Sequence, residues 1–164
     1  NIPEETRVGF ISVLSGTVKN VKFKDCYVSA KPAIGIIVGE GKTESQIENC
    51  QTIRGKASVD NKNCKGYRCV GGIAGSVGII RGCSNSARVV SIESLTSNCG
   101  GVVGDAQLVE KCSNFGEVNF KQYYADGNDA FSYGAIAGYV VQKVNDCFAV
   151  CSIFGDLCTA SHFF

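Results

Sequence analysis

A five-residue phrase bounded by glycine returns along this chain. Gly-Ile-Ile-Val-Gly occupies 35–39, Gly-Gly-Ile-Ala-Gly 71–75, Gly-Gly-Val-Val-Gly 100–104 and Gly-Ala-Ile-Ala-Gly 134–138, with a degenerate copy, Gly-Phe-Ile-Ser-Val, at 9–13. The third position is always β-branched and aliphatic: Ile11, Ile37, Ile73, Val102 and Ile136. On a strand of period two this residue shares a face with its flanking glycines, a large side chain between two small ones. The five residues are therefore expected to stack as one buried core column.

A second signature follows each phrase. An aliphatic residue precedes Cys by three positions at Ile47 and Cys50, Ile80 and Cys83, Val109 and Cys112, and Val144 and Cys147, while the first unit has Val18 and Val21. A spacing of three cannot keep both residues on one face of a flat strand. A bend is therefore expected at Asn20, Asn49, Gly82, Lys111 and Asp146, four of which are good turn residues. A third signature, Cys-Ser-Asn-Ser-Ala-Arg-Val at 83–89 and Cys-Ser-Asn-Phe-Gly-Glu-Val at 112–118, supplies another corner before a β-branched strand. Each unit thus reads as three short strands separated by corners.

Composition agrees with strands. The 19 Val and 13 Ile against 4 Leu and no Met favour pleated surfaces, and 20 Gly interrupt every window in which a long amphipathic helix could be drawn. A unit of this kind cannot bury its apolar face alone, so successive units must stack. The expected fold is all-β, a parallel β-helix or β-solenoid of about five coils, one domain over 1–164 with repeats at about 8–33, 34–69, 70–98, 99–132 and 133–158. Insertions at Lys56 to Cys69, Ser91 to Asn98 and Tyr123 to Phe131 are expected to project as loops, the default place for recognition.

The glycine phrases, with Ile-Arg-Gly-Cys-Ser-Asn at 80–85 and Val-Glu-Lys-Cys-Ser-Asn-Phe-Gly-Glu-Val at 109–118, resemble the GLUG repeat of large surface proteins over about residues 8 to 155. The resemblance implies a β-helical stalk or module of secreted and cell-surface proteins, such as adhesin-like proteins and the non-catalytic parts of some IgA-cleaving peptidases. It carries no catalytic residue to transfer. The first unit departs from the pattern by lacking the second Gly and the Cys, and the chain is richer in Cys than the pattern requires.

The ten cysteines divide by position. Cys50, Cys83, Cys112 and Cys147 share one repeat column and are expected to form a ladder of buried, unpaired thiols, because parallel neighbours about 4.8 Å apart suit packing better than bridge geometry. Cys99 takes the column of Val8, Ile34 and Val70. Cys64 and Cys69 bracket Lys65-Gly66-Tyr67-Arg68, and a disulfide closing that loop is the expected bridge in an oxidising compartment. Cys147, Cys151, Cys158 and the only histidine, His162, offer four soft or borderline ligands, but the spacing matches no common zinc module and the ladder competes for Cys147. No metal or cofactor is expected.

Charge excludes further classes. With 16 Lys+Arg against 15 Asp+Glu and no run of like charge, the basic stripe that nucleic acid requires is absent. The longest mostly apolar stretch, Ala130 to Val141, is too short and interrupted to span a membrane. No nucleophile elbow, phosphate loop or His-Glu-x-x-His occurs. The carboxylates Glu40, Asp60, Asp105, Glu110, Glu117, Asp126 and Asp129 share a column only at Glu40 and Asp105. The expected function is accordingly a non-enzymatic structural or interaction module at a cell surface or outside the cell, whose partner is a protein or glycan. End-to-end self-association or continuation into a larger parent protein is also expected, since the first residues carry Pro3, Glu4 and Glu5 while Phe163 and Phe164 end the chain. The alternative in another class is a carbohydrate-active β-helix enzyme of the lyase or hydrolase kind, with two convergent carboxylates in a groove.

Overall fold

A computed structural model describes residues 7–30, 33–60, 68–92, 97–121 and 131–156. These residues form strands and the corners between them, and no helix among them is long and apolar enough to cross a membrane. Of the three stretches expected as loops, residues 56–60, 68–69, 91–92, 97–98 and 131 instead lie in strands, and 61–67, 93–96 and 123–130 lie outside the described residues.

Each unit contributes four strands. The first holds β1 (Arg7–Val8), β2 (Ile11–Leu14), β3 (Thr17–Lys19) and β4 (Lys22–Ala30). The second holds β5 (Ala33–Ile34), β6 (Val38–Gly41), β7 (Gln46–Glu48) and β8 (Gln51–Asp60). The third holds β9 (Arg68–Gly71), β10 (Ala74–Arg81), β11 (Ser84–Asn85) and β12 (Arg88–Ile92), and the fourth holds β13 (Ser97–Gly100), β14 (Val103–Glu110), β15 (Ser113–Asn114) and β16 (Val118–Lys121). The fifth is β17 (Phe131–Gly134), β18 (Ala137–Asn145), β19 (Phe148–Ala149) and β20 (Ile153–Asp156).

Every one of these strands pairs in parallel with its counterpart in the neighbouring unit. The first sheet runs β1-β5-β9-β13-β17, the second is centred on β18-β14-β10-β6-β2 with β3 and β7 alongside, and the third takes β4, β8 and the last two strands of each later unit. Parallel neighbours need a long connection, and here the connection is the rest of the unit.

The glycine phrase is not a single strand. β9 stops at Gly71 and β10 begins at Ala74, so Gly72 and Ile73 form the corner between the first and second sheets. The corner residue still points inward and its backbone still joins the stack. Ile11 N–H donates to Ile37 O, Ile37 N–H to Ile73 O, Ile73 N–H to Val102 O and Val102 N–H to Ile136 O, at 2.8–3.0 Å. Ile37, Ile73 and Val102 are fully buried, whereas Ile11 and Ile136, in the outermost units, are half-buried and pack against the same cluster.

The bend between the second and third sheets is a row of left-handed residues. Asn20, Asn49, Lys111 and Asp146 have φ of 57°, 51°, 52° and 52°, and Gly82 has 60°. Asn tolerates this region and Gly occupies it freely, but Lys111 does so at a steric cost that the surrounding ladder must hold. The ladder is continuous here: Asn20 N–H donates to Glu48 O, Asn49 to Arg81 O, Gly82 to Glu110 O and Lys111 to Asn145 O.

Candidate functional site

The thiols of the repeat column are spent on this bend. In each unit the Cys Sγ lies 3.2–3.3 Å from the carbonyl oxygen two residues earlier: Cys50 on Glu48, Cys83 on Arg81, Cys112 on Glu110 and Cys147 on Asn145. The sulfur also receives from the unit before it, since Cys50 N–H donates to Cys83 Sγ at 3.4 Å and Cys112 N–H to Cys147 Sγ at 3.3 Å. A thiol is a weak donor and weak acceptor of small volume, so Cys can close the bend where Val21, in the first unit, only fills it. Cys50, Cys83 and Cys112 are buried, Cys147 is half-buried, and none of the four is in a disulfide.

Burial and mutual contact set the thiols of this row apart: the pKa of Cys112 is lowered, first by its side-chain hydrogen bond with Cys83. Cys83 is held far above the ordinary thiol value, first by its side-chain hydrogen bond with Cys112 and then by burial. Cys147 is raised by burial. Cys99, stacked in register between Val70 and Tyr133 in the first sheet, is fully buried, and its pKa is pushed up to about 12 by burial. The thiolate is the reactive and metal-binding form, and the interior disfavours it at Cys83, Cys99 and Cys147.

Cys69 lies buried in β9, but Cys64 is outside the described residues, and so is the expected Cys64–Cys69 bridge. Of the C-terminal set, Cys147 turns into the stack, Cys151 is half-buried, and Cys158 and His162 are outside the described residues. Among the described residues no group of three or more His, Cys, Asp or Glu side chains is placed to hold a metal ion.

The third-sheet corner contains residues whose role was not legible in the sequence. Asn85 and Asn114, read there as corner formers, are fully buried and face inward. Asn85 Oδ1 accepts from Ala87 N–H at 3.0 Å and from Thr52 Oγ1 at 2.5 Å, while its Nδ2 donates to Ala87 O and to Asn114 Oδ1, both at 2.8 Å. Asn114 repeats the local pair, accepting from Gly116 N–H and donating to Gly116 O. The result is a ladder, Thr52 to Asn85 to Asn114, in which each amide serves its own corner and the next one.

This ladder explains the doubled glycine. A Cβ on Gly72 would overlap the Asn85 amide, and one on Gly101 would overlap that of Asn114. Where the second Gly is replaced, the facing residue changes too. Ile36 shares its unit with Thr52, Ala135 with Ala149, and Phe10 with Phe23, whose rings lie 5.0 Å apart. The recurrence of Gly-Gly only in the units that carry Ser-Asn is the signal that could have revealed the pairing.

Outside, the candidate carboxylates Glu40, Glu110 and Glu117, and Glu48 beside them, face cations of neighbouring units. Glu40 pairs with Arg7, Glu48 with Lys19 at 2.9 Å, Glu110 with Arg81 at 2.7 Å and Glu117 with Arg88 at 2.8 Å. One outward column reads Lys19, Glu48, Arg81, Glu110, Asn145, so its signs alternate along the stack. Glu40 and Asp105 do share a column, with Ser76 between them. Two sheet steps separate their backbones by roughly 9.6 Å. The side chain of Asp60 is not described, and Asp126 and Asp129 lie outside the described residues.

Comparison of the chain with models of known families, with curated proteins and with solved structures finds no match.

Proposed function

We propose that this chain is a single parallel β-solenoid domain of about five coils, built of GLUG-like repeats with loop insertions, and that it serves as a non-enzymatic structural or interaction module. The observation that carries the reading is the register. Like residues stack on like through the Ile/Val column, the thiol row and the amide ladder, each 26 to 36 residues apart in sequence. The buried amides of Asn85 and Asn114 and the thiols of the Cys row are bonded within the stack, and the carboxylates at Glu40, Glu110 and Glu117 are neutralised across it. This chemistry suits a rigid body rather than a reacting centre, where titratable groups are left poised for a substrate. The extracellular or cell-surface location and a protein or glycan partner rest on the GLUG resemblance.

The test pairs shape with activity. Small-angle scattering should give an elongated particle, and incubation with neutral and uronic-acid polysaccharides should release no new chain ends. Cleavage that disappears in Glu40→Gln or Asp105→Asn would overturn the scaffold reading in favour of a β-helix carbohydrate enzyme.

A further inference from the structure

We propose that copies of this chain stack end to end, the fifth unit of one copy receiving the first unit of the next in the register of the chain's own repeats. The inference rests on the solenoid reading and names the partner as a second copy. Among the described residues, β1 to β4 pair on one side only, with the second unit, and β17 to β20 pair on one side only, with the fourth. Such edges are templates for further strands.

Three properties of the two faces match each other. The first is the apolar column. Val144 and Ile153 are 50% and 46% exposed, although their counterparts one unit earlier, Val109 and Val118, are completely buried. The next layer in register would bring Val18 onto Val144 and Val28 onto Ile153, residues of the same shape.

The second is volume. At the corner positions where the third and fourth units hold Gly with Asn, the fifth unit holds Ala135 and Ala149, the smallest side chains that still fill the column. The first unit holds Phe10 and Phe23 there, with Phe10 74% exposed. A large pair on one face thus opposes a small pair on the other. Two first faces would set Phe against Phe, and two fifth faces Ala against Ala, so the match is between unlike ends. Contact between unlike ends gives an open stack rather than a closed dimer.

The third is charge. The outward column ends at Glu110 and Asn145, and the next copy would add Lys19, which continues the alternation without placing like charges together. Asp146 would meet Asn20, Lys143 would meet Thr17, and Arg7 would meet Ser132, none of them a like-charged pair.

The experiment uses the whole chain and two variants that each block one face. Phe10→Asp alters an exposed side chain of the first face, and Ala149→Arg alters an exposed residue of the fifth; far-UV circular dichroism and thermal unfolding verify that both fold. In light scattering the mass of the wild-type chain should rise with concentration, while each variant alone should stay at one chain. An equimolar mixture should then reach the mass of two chains and stop, because one open first face meets one open fifth face. A folded wild type that remains at one chain at every concentration overturns the stacking and leaves the scaffold reading intact, as does a mixture that forms no dimer. Variants that assemble as the wild type does also overturn it. A wild type without cooperative β structure overturns the scaffold reading itself.

Discussion

The corner that opens the third sheet is built in two ways, and the comparison separates backbone solutions from side-chain ones. In the first two units three residues lie between the paired positions, from Phe23 to Tyr27 and from Thr52 to Lys56. In the third unit only two lie between Asn85 and Arg88. The longer version absorbs its extra residue by left-handed backbone, with φ of 56° at Asp25 and Arg54 and 108° at Gly55, and Arg54 clasps Asp25 through two 2.8 Å hydrogen bonds on the surface. The shorter version has no such residue. It needs the buried Asn amide to satisfy both backbone groups of Ala87. One corner is therefore closed by chain length and an exposed ion pair, the other by a buried amide with no room for error.

The largest effect should come from striking what the two halves share. Ile73 stacks between Ile37 of the longer-corner half and Val102 of the shorter-corner half. Ile73→Asp puts an unpaired carboxylate at a completely buried position, at a cost of several kcal/mol. The expected result is loss of soluble, cooperatively unfolding protein; a variant that retains a sharp transition would refute the packing account.

Next comes the amide corner itself. Asn85→Ala removes both partners of Ala87, the acceptor of the Thr52 hydroxyl and one of the three bonds of Asn114, which should lower stability by about 1–3 kcal/mol in denaturant titration. Gly72→Ala should also destabilise, since its methyl group competes with the Asn85 amide, and the loss should shrink when Asn85→Ala is added. Strict additivity of those two changes would contradict the coupling.

Alkaline pH should distinguish the halves by their thiols. Cys69, Cys83, Cys99 and Cys112 are buried in the third and fourth units, against Cys50 alone in the second. A Cys99 pKa raised from 9.0 to about 12 means that the folded state holds its proton while the unfolded chain loses it. That contribution is complete below pH 9 and declines as pH rises towards 12. Cys99→Val, which copies Val70 in the same column, should flatten this decline in a pH series of unfolding midpoints; an unchanged slope would remove Cys99 from the explanation.

The smallest effect belongs to the surface pair. The hydrogen bond from Arg54 holds the Asp25 carboxyl below its ordinary value, so any stability it adds is present above the unfolded pKa and is lost as pH falls through the folded one. Both side chains are exposed and screened. Asp25→Asn should shift the melting temperature slightly at neutral pH and not at all in acid. A loss comparable to that of Asn85→Ala would abolish the contrast between the two corners.

The sequence disclosed the column of Ile11, Ile37, Ile73, Val102 and Ile136 and the bend at Asn20, Asn49, Gly82, Lys111 and Asp146, because residues of similar shape or turn chemistry recur there at every unit. It hid the corner inside the glycine phrase, since Gly72-Ile73 fits the period of a strand as well as it fits a turn. It hid the amide ladder for a different reason. Polar residues beside Ser and Gly read as solvent-facing, and only the third dimension shows that Asn85 and Asn114 turn inward over the space that Gly72 and Gly101 leave empty. The alternating charges of Lys19, Glu48, Arg81 and Glu110 are likewise ordinary surface residues until the register aligns them.

Units distant in sequence stack in one register, and nuclear Overhauser contacts between methyl groups read that register residue by residue. With Ile and Val methyls labelled, neighbouring column residues about 4.8 Å apart along the backbone lie within reach of the effect. Cross-peaks are expected from Ile73 to Ile37 and Val102, from Ile37 to Ile11, and from Val102 to Ile136, with none that skips a unit. Absence of the Ile73 contacts to Ile37 and Val102 in the folded protein would contradict that register.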